Sequence, residues 1–272
     1  MRKVLPARLP NRCYGNNSMI SSRNSTIAFE TIRSLAVPVC LVAALLVIGL
    51  SGCSKGHASD AKPVAASTSR WEPQVRRLER KNARAPKGGV LFIGSSSIRL
   101  WSSLKDDMAP VSVVRSGFGG ATSEDVLKYA KRLVLPLAPR AVVYYAGDND
   151  LGRSKTLSPT QIRENFERFV KTIRKSNQEP DFYFVSIKPS PKRFKDWPRM
   201  RAANDLVAKL ARRDKRIHYI DVASAMLDRS GHVRKELFRK DGLHLNERGY
   251  ALWTASIQPL LQSRVGPNPL YL

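Results

Sequence analysis

Gly94-Ser95-Ser96-Ser97 follows directly on the apolar run Val90–Ile93. A glycine and small hydroxyl residues at the end of a strand suit a tight turn that exposes one side chain. A serine held there becomes a nucleophile when a base reaches it. Taken alone, such a turn is read more readily as a plain turn or a helix cap. A base with its own support stands near the C-terminus, in Asp241-Gly242-Leu243-His244. The three-residue spacing lets the carboxylate reach the imidazole Nδ1 and fix the tautomer, leaving Nε2 to take a proton from a serine. The other histidines lack this arrangement. His57 falls in a small, polar stretch, His218 in an apolar run that reads as a structural strand, and His232 in a solvated Ser-Gly turn.

Two further segments carry polar groups at the ends of apolar runs. Residues 116–122, SGFGGAT, place three glycines in four positions. Such backbone approaches a ligand closely, and its free N–H groups suit an anion or an oxyanion. The spacing does not make a dinucleotide fingerprint, because the third glycine of G-x-G-x-x-G is missing, and no Walker pattern is present. Ala146-Gly147-Asp148-Asn149-Asp150 ends the next run, and Asn149 there can donate an amide hydrogen bond into a crevice. The two aspartates alone argue against a metal, since no histidine lies close in sequence.

These segments need a scaffold that brings strand ends together. Five short apolar runs, Val90–Ile93, Val111–Val114, Ala141–Tyr145, Phe182–Ile187 and Ile217–Val222, read as strands. Most are continuously apolar, as strands buried on both faces are. Helical spacing marks Ser123–Leu133, Ser158–Ser176, Asp196–Arg213 and Asn246–Leu261. Strands alternating with helices predict an α/β fold, a parallel sheet with helices on both faces. Its ligand site belongs beyond the carboxyl ends of the strands. The segment 186–201, SIKPSPKRFKDWPRMR, leaves the fourth strand on that side and reads as a wall of the site. Its Lys188, Lys192, Arg193 and Lys195 are read as solvated loop charges in preference to substrate contacts.

Residues 1–34 are polar and basic, and Leu35–Leu50 is a 16-residue apolar run followed by Ser51-Gly52-Cys53. That run is short for a membrane span and fits the apolar core of a signal peptide. Leu50-Ser51-Gly52-Cys53 resembles a bacterial lipobox, which implies lipidation of Cys53 and export to the cell envelope. A start at Met19 would give the signal an ordinary length. The expected organisation is a lipoprotein signal peptide over 1–52, a tether over 53–70, a basic arm over 71–88, a catalytic domain over 89–265 and a tail over 266–272. The chain has Cys13, Cys40 and Cys53 only, so its globular part has no disulfide and no cysteine chemistry. The net charge is +25, and removing residues 1–52, with six basic residues and one acidic, leaves +20. Such charge favours anionic partners. A nucleic-acid partner is not expected, because the basic residues are spread along the chain without a recognised module and the chain is exported. Nothing in the sequence specifies an oligomeric state.

The order Ser, Gly, Asn and Asp-x-x-His, carried by FIGSSSIRLW, RSGFGGAT, YYAGDND and DGLHLNERGY, resembles the SGNH or GDSL-type hydrolases. The likeness covers about Val90 to Leu261 and is greatest to bacterial esterases similar to platelet-activating-factor acetylhydrolase. It implies a three-layer α/β/α sandwich with a five-stranded parallel sheet in the flavodoxin-like order 2-1-3-4-5. It further implies Ser96 as nucleophile, His244 as base and Asp241 as its orienting carboxylate. The N–H groups of Ser96 and Gly120 and the amide of Asn149 would form the oxyanion hole. Neither a cofactor nor a metal is implied. The implied substrate is a small-molecule, glycan or lipid ester, with short acyl or acetyl groups or a lysophospholipid foremost. The family's Gly-Asp-Ser is Gly-Ser-Ser here, so Ser95 stands where Asp is usual. The alternative reading is a non-catalytic domain of the same frame that binds anionic glycan or lipid.

Overall fold

The computed structural model describes residues 69–154, 156–176 and 179–266. The expected signal peptide, Cys53 and the tether up to residue 68 lie outside these residues, as does the tail from 267. Five strands form one sheet: β1 Val90–Gly94, β2 Val113–Gly117, β3 Ala141–Tyr145, β4 Asp181–Val185 and β5 Ile217–Ile220. All pairings are parallel and the order is β2-β1-β3-β4-β5, as expected. The helices in chain order are α1 Glu72–Asn82, α2 Ser96–Arg99, α3 Leu104–Asp107, α4 Ser123–Lys128 and α5 Ala130–Val134. They continue with α6 Asp148–Arg153, α7 Pro159–Arg174, α8 Trp197–Ala211 and α9 Glu247–Arg264. No helix among the described residues is long and apolar enough to cross a membrane.

The strands have two-residue periodicity with both faces apolar, and each face feeds a separate core. Leu91, Ile93, Val142, Tyr144, Phe182 and Phe184 enter one cluster, with α1, α4, α5, α7 and α8. Val90, Phe92, Val143, Tyr145, Tyr183 and Val185 enter the other, with α9. This is why the strand runs read as continuously apolar. The α7 helix buries Ile162, Phe166, Phe169, Val170 and Ile173, and Ser158 and Gln161 close its N-terminus in a capping box.

Three elements differ from their sequence expectation. The second strand begins at Val113 and runs through Arg115 to Gly117, later than the apolar run suggests. It is the edge of the sheet, and there a charged side chain is tolerated: the Arg115 guanidinium turns to donate to the Trp101 carbonyl. The expected helix over 123–133 is broken at Tyr129, whose ring turns inward against Phe118. The expected arm over 71–88 is instead part of the domain. Trp71 and Val75 are buried in the core, and buried Asn82 donates to Ser116 Oγ at 2.9 Å. Arg132 grips Glu72 and Glu79 together, so charges that suggested a free surface arm are partly tied down. The hydrogen bonds from Arg132 and Arg76 hold the Glu72 carboxyl down to about 2.

Chain order reverses between β1 and β3, since β2 lies on one side of β1 and β4 on the far side of β3. A crevice opens at such a switch point, outside the carboxyl ends of the two strands. The Ser96 turn leaves β1 there, and the Asp148-Asn149-Asp150 segment leaves β3 beside it. The two ends lie so close that a Cβ on Gly94 would fall 2.0 Å from the Tyr145 carbonyl oxygen; Gly94 also has φ +151°. Only glycine meets both conditions.

Candidate active site

Ser96 is the first residue of α2 and keeps 8 % exposure, enough for its Oγ to reach the crevice. Its neighbours Ser95 and Ser97 are fully covered. The choice among the three adjacent serines is therefore made by the fold: Ser96 Oγ lies 3.1 Å from His244 Nε2. Tyr250 of α9 donates to the Ser97 carbonyl at 2.9 Å and pins this turn to the C-terminal helix. Ser95, at the family's Asp position, has an Oγ without a hydrogen-bond partner among the described residues.

His244 Nδ1 faces Asp241 Oδ2 at 2.6 Å. The other carboxylate oxygen, Oδ1, accepts from the backbone N–H groups of Leu243 and His244, each at 2.9 Å. Partial burial pushes the Asp241 carboxyl up, but the His244 ring and these two N–H donors outweigh it and hold the group well below the usual carboxylate range. Asp241 is thus a fixed anion with one oxygen committed to the imidazole. The Asn246 side chain caps α9 by accepting from Gly249 N–H at 3.1 Å, which ends the loop directly after His244.

Asn149, 5 % exposed, lies in α6 at the end of β3. One amide hydrogen goes to the Ala121 carbonyl, with Nδ2 to O at 2.9 Å. Its Oδ1 accepts from Arg193 at 3.0 Å. With the oxygen held, the amide cannot flip, and its second hydrogen remains for a ligand. Gly120 has φ +72°, and a Cβ there would lie 3.3 Å from the Trp71 ring. The N–H groups of Ser96 and Gly120 have no acceptor among the described residues; that of Ser96 is one of the free donors of a helix start. Gln74 of α1 accepts from the Gly119 N–H at 3.2 Å and so supports the glycine loop.

An open cleft of about 610 Å³ joins these groups. Ser96, Gly120, Asn149 and His244 all line it, so four of the five expected site residues face one space and Asp241 stands behind the histidine.

The segment 186–201 forms part of the wall, but its charges do not behave as solvated loop charges throughout. Lys188 is 1 % exposed and pairs with buried Asp148 at 3.0 Å. Arg193 is buried, donates to the Asp148 carbonyl at 2.8 Å, and holds Asn149 as described. Both correct the reading of these cations as solvated, whereas exposed Lys192 and Lys195 match it. The reason is long-range: burial of Asp148 at the end of β3 demands countercharges, and the wall segment delivers them. The backbone of the same segment reaches the histidine loop, with Lys192 N–H donating to the Gly242 carbonyl at 2.9 Å. The Asp150 carboxylate accepts from the Ser123 N–H and Oγ. Burial raises that carboxyl to about 6. Lys188, Arg193, Gln74 and Trp71 had no motif to betray them.

The GDSL-like lipase/acylhydrolase family matches residues 93–252, more than half of the chain. The chain belongs to that family. Its reaction type is accordingly that of a hydrolase acting on ester bonds. Similar solved structures include a GDSL-like lipase of Bacteroides thetaiotaomicron, 20 % identical over 70 % of this chain and 97 % of that one, at a TM-score of 0.61. A lipase/acylhydrolase of Enterococcus faecalis is 24 % identical over 65 % of this chain and 96 % of that one, at 0.52. A Streptococcus pneumonia protein described as a platelet activating factor is 18 % identical over 70 % of this chain and 94 % of that one, at 0.62. At these identities the likeness speaks for the fold. A search of curated proteins finds no match.

Proposed function

We propose that the chain is a serine esterase that cleaves carboxylic esters through an acyl-enzyme at Ser96. The observation that carries this reading is the Ser96–His244–Asp241 relay, with contacts of 3.1 and 2.6 Å at the mouth of the cleft. Ser96 Oγ adds to the carbonyl carbon while His244 Nε2 takes its proton. The carbonyl oxygen becomes an oxyanion held by the N–H groups of Ser96 and Gly120 and the amide of Asn149. Collapse re-forms the carbonyl and breaks the bond to the alkoxy oxygen, which leaves with the proton from His244. Water then attacks the acyl-Ser96, gives its proton to His244, and the acid departs as Ser96 recovers its hydrogen. Asp241 stays ionised throughout and stabilises the imidazolium. Short acyl or acetyl esters and lysophospholipid are the substrates proposed first. A fluorophosphonate probe tests the nucleophile: the wild type labels and Ser96→Ala does not, and labelling that survives this substitution rejects the reading.

Arg193 is a positioning residue for the same reaction. Its hold on Asn149 Oδ1 aims the amide hydrogen at the oxyanion. Losing a well-aimed oxyanion donor costs about 10²–10³ in rate, so loosening one through Arg193→Met is expected to lower kcat by roughly ten- to a hundredfold. KM should change little. A general structural fault would lower the active fraction without this split, so kcat is measured against titrated active sites. An unchanged kcat per titrated site removes Arg193 from the machinery.

The lipobox-like Leu50-Ser51-Gly52-Cys53 supports a lipid anchor on Cys53 and a place at the bacterial cell envelope. Cells fed labelled palmitate should label the wild type and not Cys53→Ser; equal labelling of the two rejects the anchor.

A further inference from the structure

The cleft around Ser96 is electrostatically one-sided. Arg77 of α1, Arg99 of α2, Arg153 of α6 and Arg193 line it together with the expected catalytic groups, and among the described residues no carboxylate does. Arg99 is three residues beyond Ser96, and its guanidinium lies against Gly119: a Cβ on that glycine would fall 3.0 Å from Arg99 Nε. Arg153 reaches the same loop, where it donates to the Gly120 carbonyl at 3.4 Å. Two guanidinium groups thus flank the loop that carries the Gly120 N–H.

Acidic residues are not lacking nearby; they are turned away. Asp148 is held by Lys188 and Arg193, Asp150 by Ser123, and Asp241 by His244. On α1, Glu72 and Glu79 are taken by Arg132. Arg77, Arg99 and Arg153 have no carboxylate partner among the described residues. Guanidinium forks match the planar oxygen pairs of carboxylates and phosphates. A concave site lined by one sign of charge concentrates field and draws in the opposite sign.

We propose that the substrate is an ester carrying a carboxylate or phosphate group near its scissile bond, recognised by Arg99 and Arg153. This rests on the esterase reading above and narrows it. Binding of the anion beside the Gly119–Gly120 loop holds the ester carbonyl over Ser96, so the preference falls on kcat/KM.

The test uses the full chain and two matched pairs of aryl acetates. The first pair is 4-acetoxybenzoate and its methyl ester. The second is 4-acetoxyphenyl phosphate and 4-methoxyphenyl acetate. Each kcat/KM is divided by that ester's hydroxide-catalysed rate, which removes differences in leaving group. The anionic member of at least one pair is expected to be favoured by roughly ten- to a hundredfold at low ionic strength, the gain of one or two charge-assisted contacts. The pair that shows it tells carboxylate from phosphate. The ratio should fall towards unity in about 0.5 M NaCl, where exposed charges are screened, and in the double variant R99Q/R153Q. No preference in either pair, or one that persists in the double variant, overturns the proposal. Neutral esters separate this from failure of the esterase reading. If the wild type cleaves them and Ser96→Ala does not, only the anion site has failed; if the wild type cleaves none of the four, the reaction itself is wrong and the proposal falls with it.

Discussion

Ser96→Ala is expected to lower kcat/KM for an aryl acetate by about 10⁵–10⁶ with the thermal midpoint nearly unmoved, the scale seen when a relay nucleophile is lost. The hydroxyl is the atom that forms the acyl bond, and neither neighbouring serine can substitute. Ser95 and Ser97 are buried, and Ser96 Oγ is the serine oxygen that stands 3.1 Å from the histidine. The remaining rate should come from the oxyanion donors acting on water. Asp241→Asn should be milder, about 10⁴, because the ring loses its preferred tautomer and its countercharge while the nucleophile stays. Steady-state turnover of p-nitrophenyl acetate by purified variants provides the measurement. A Ser96→Ala variant that retains a tenth of wild-type activity would place the chemistry elsewhere.

Lys188→Met is expected to destabilise the fold strongly. It deletes one partner of a pair in which both side chains are almost wholly covered. Leaving the other charge buried costs about 3–5 kcal/mol, hence a thermal midpoint lower by roughly 6–20 °C. The pH dependence tells this cause from simple loss of packing. In the wild-type fold burial pushes the Asp148 carboxyl up, but Lys188 and Arg193 outweigh it and hold the group below its ordinary range. Its contribution is then present above the unfolded pKa and is lost as pH falls through that value towards the folded one. Without Lys188 only Arg193 opposes burial, so the folded carboxyl moves up from its wild-type position and protonation relieves the variant as pH falls. The deficit against wild type is therefore larger at about pH 7 than at about pH 4.5. Equal deficits at both would assign the loss to the lysine's packing.

Much of the fold was legible because a parallel sheet buried on both faces leaves uninterrupted apolar runs. The run at Ala141–Tyr145 is a strand to the residue. The edge strand was misplaced because its outer positions tolerate Arg115, which an apolar count discards. The catalytic constellation was legible for another reason: Ser96, Gly120 and Asn149 follow strands and Asp241 and His244 precede α9, where local turn chemistry marks them. Asp241 and His244 meet within one short loop, so their spacing suffices. The supporting residues act across distance and leave no local trace. Arg193 meets Asn149 across 44 positions, and Gln74 meets Gly119 across 45. The α1 helix was obscured by its own charges, which looked solvated until Arg132 supplied their partner.

That first helix has a consequence for how the domain is divided. The family match opens at residue 93, past α1. All five expected site residues lie within the matched span, yet Trp71 lies across Gly120 and Gln74 holds Gly119 from outside it. The part of the chain that makes the sheet is therefore not the whole of the part that sets the glycine loop. A substitution at Trp71 or Gln74 changes a contact of that loop without touching the nucleophile, the base or any strand. The glycine loop is thus buttressed by a helix that the matched span leaves out.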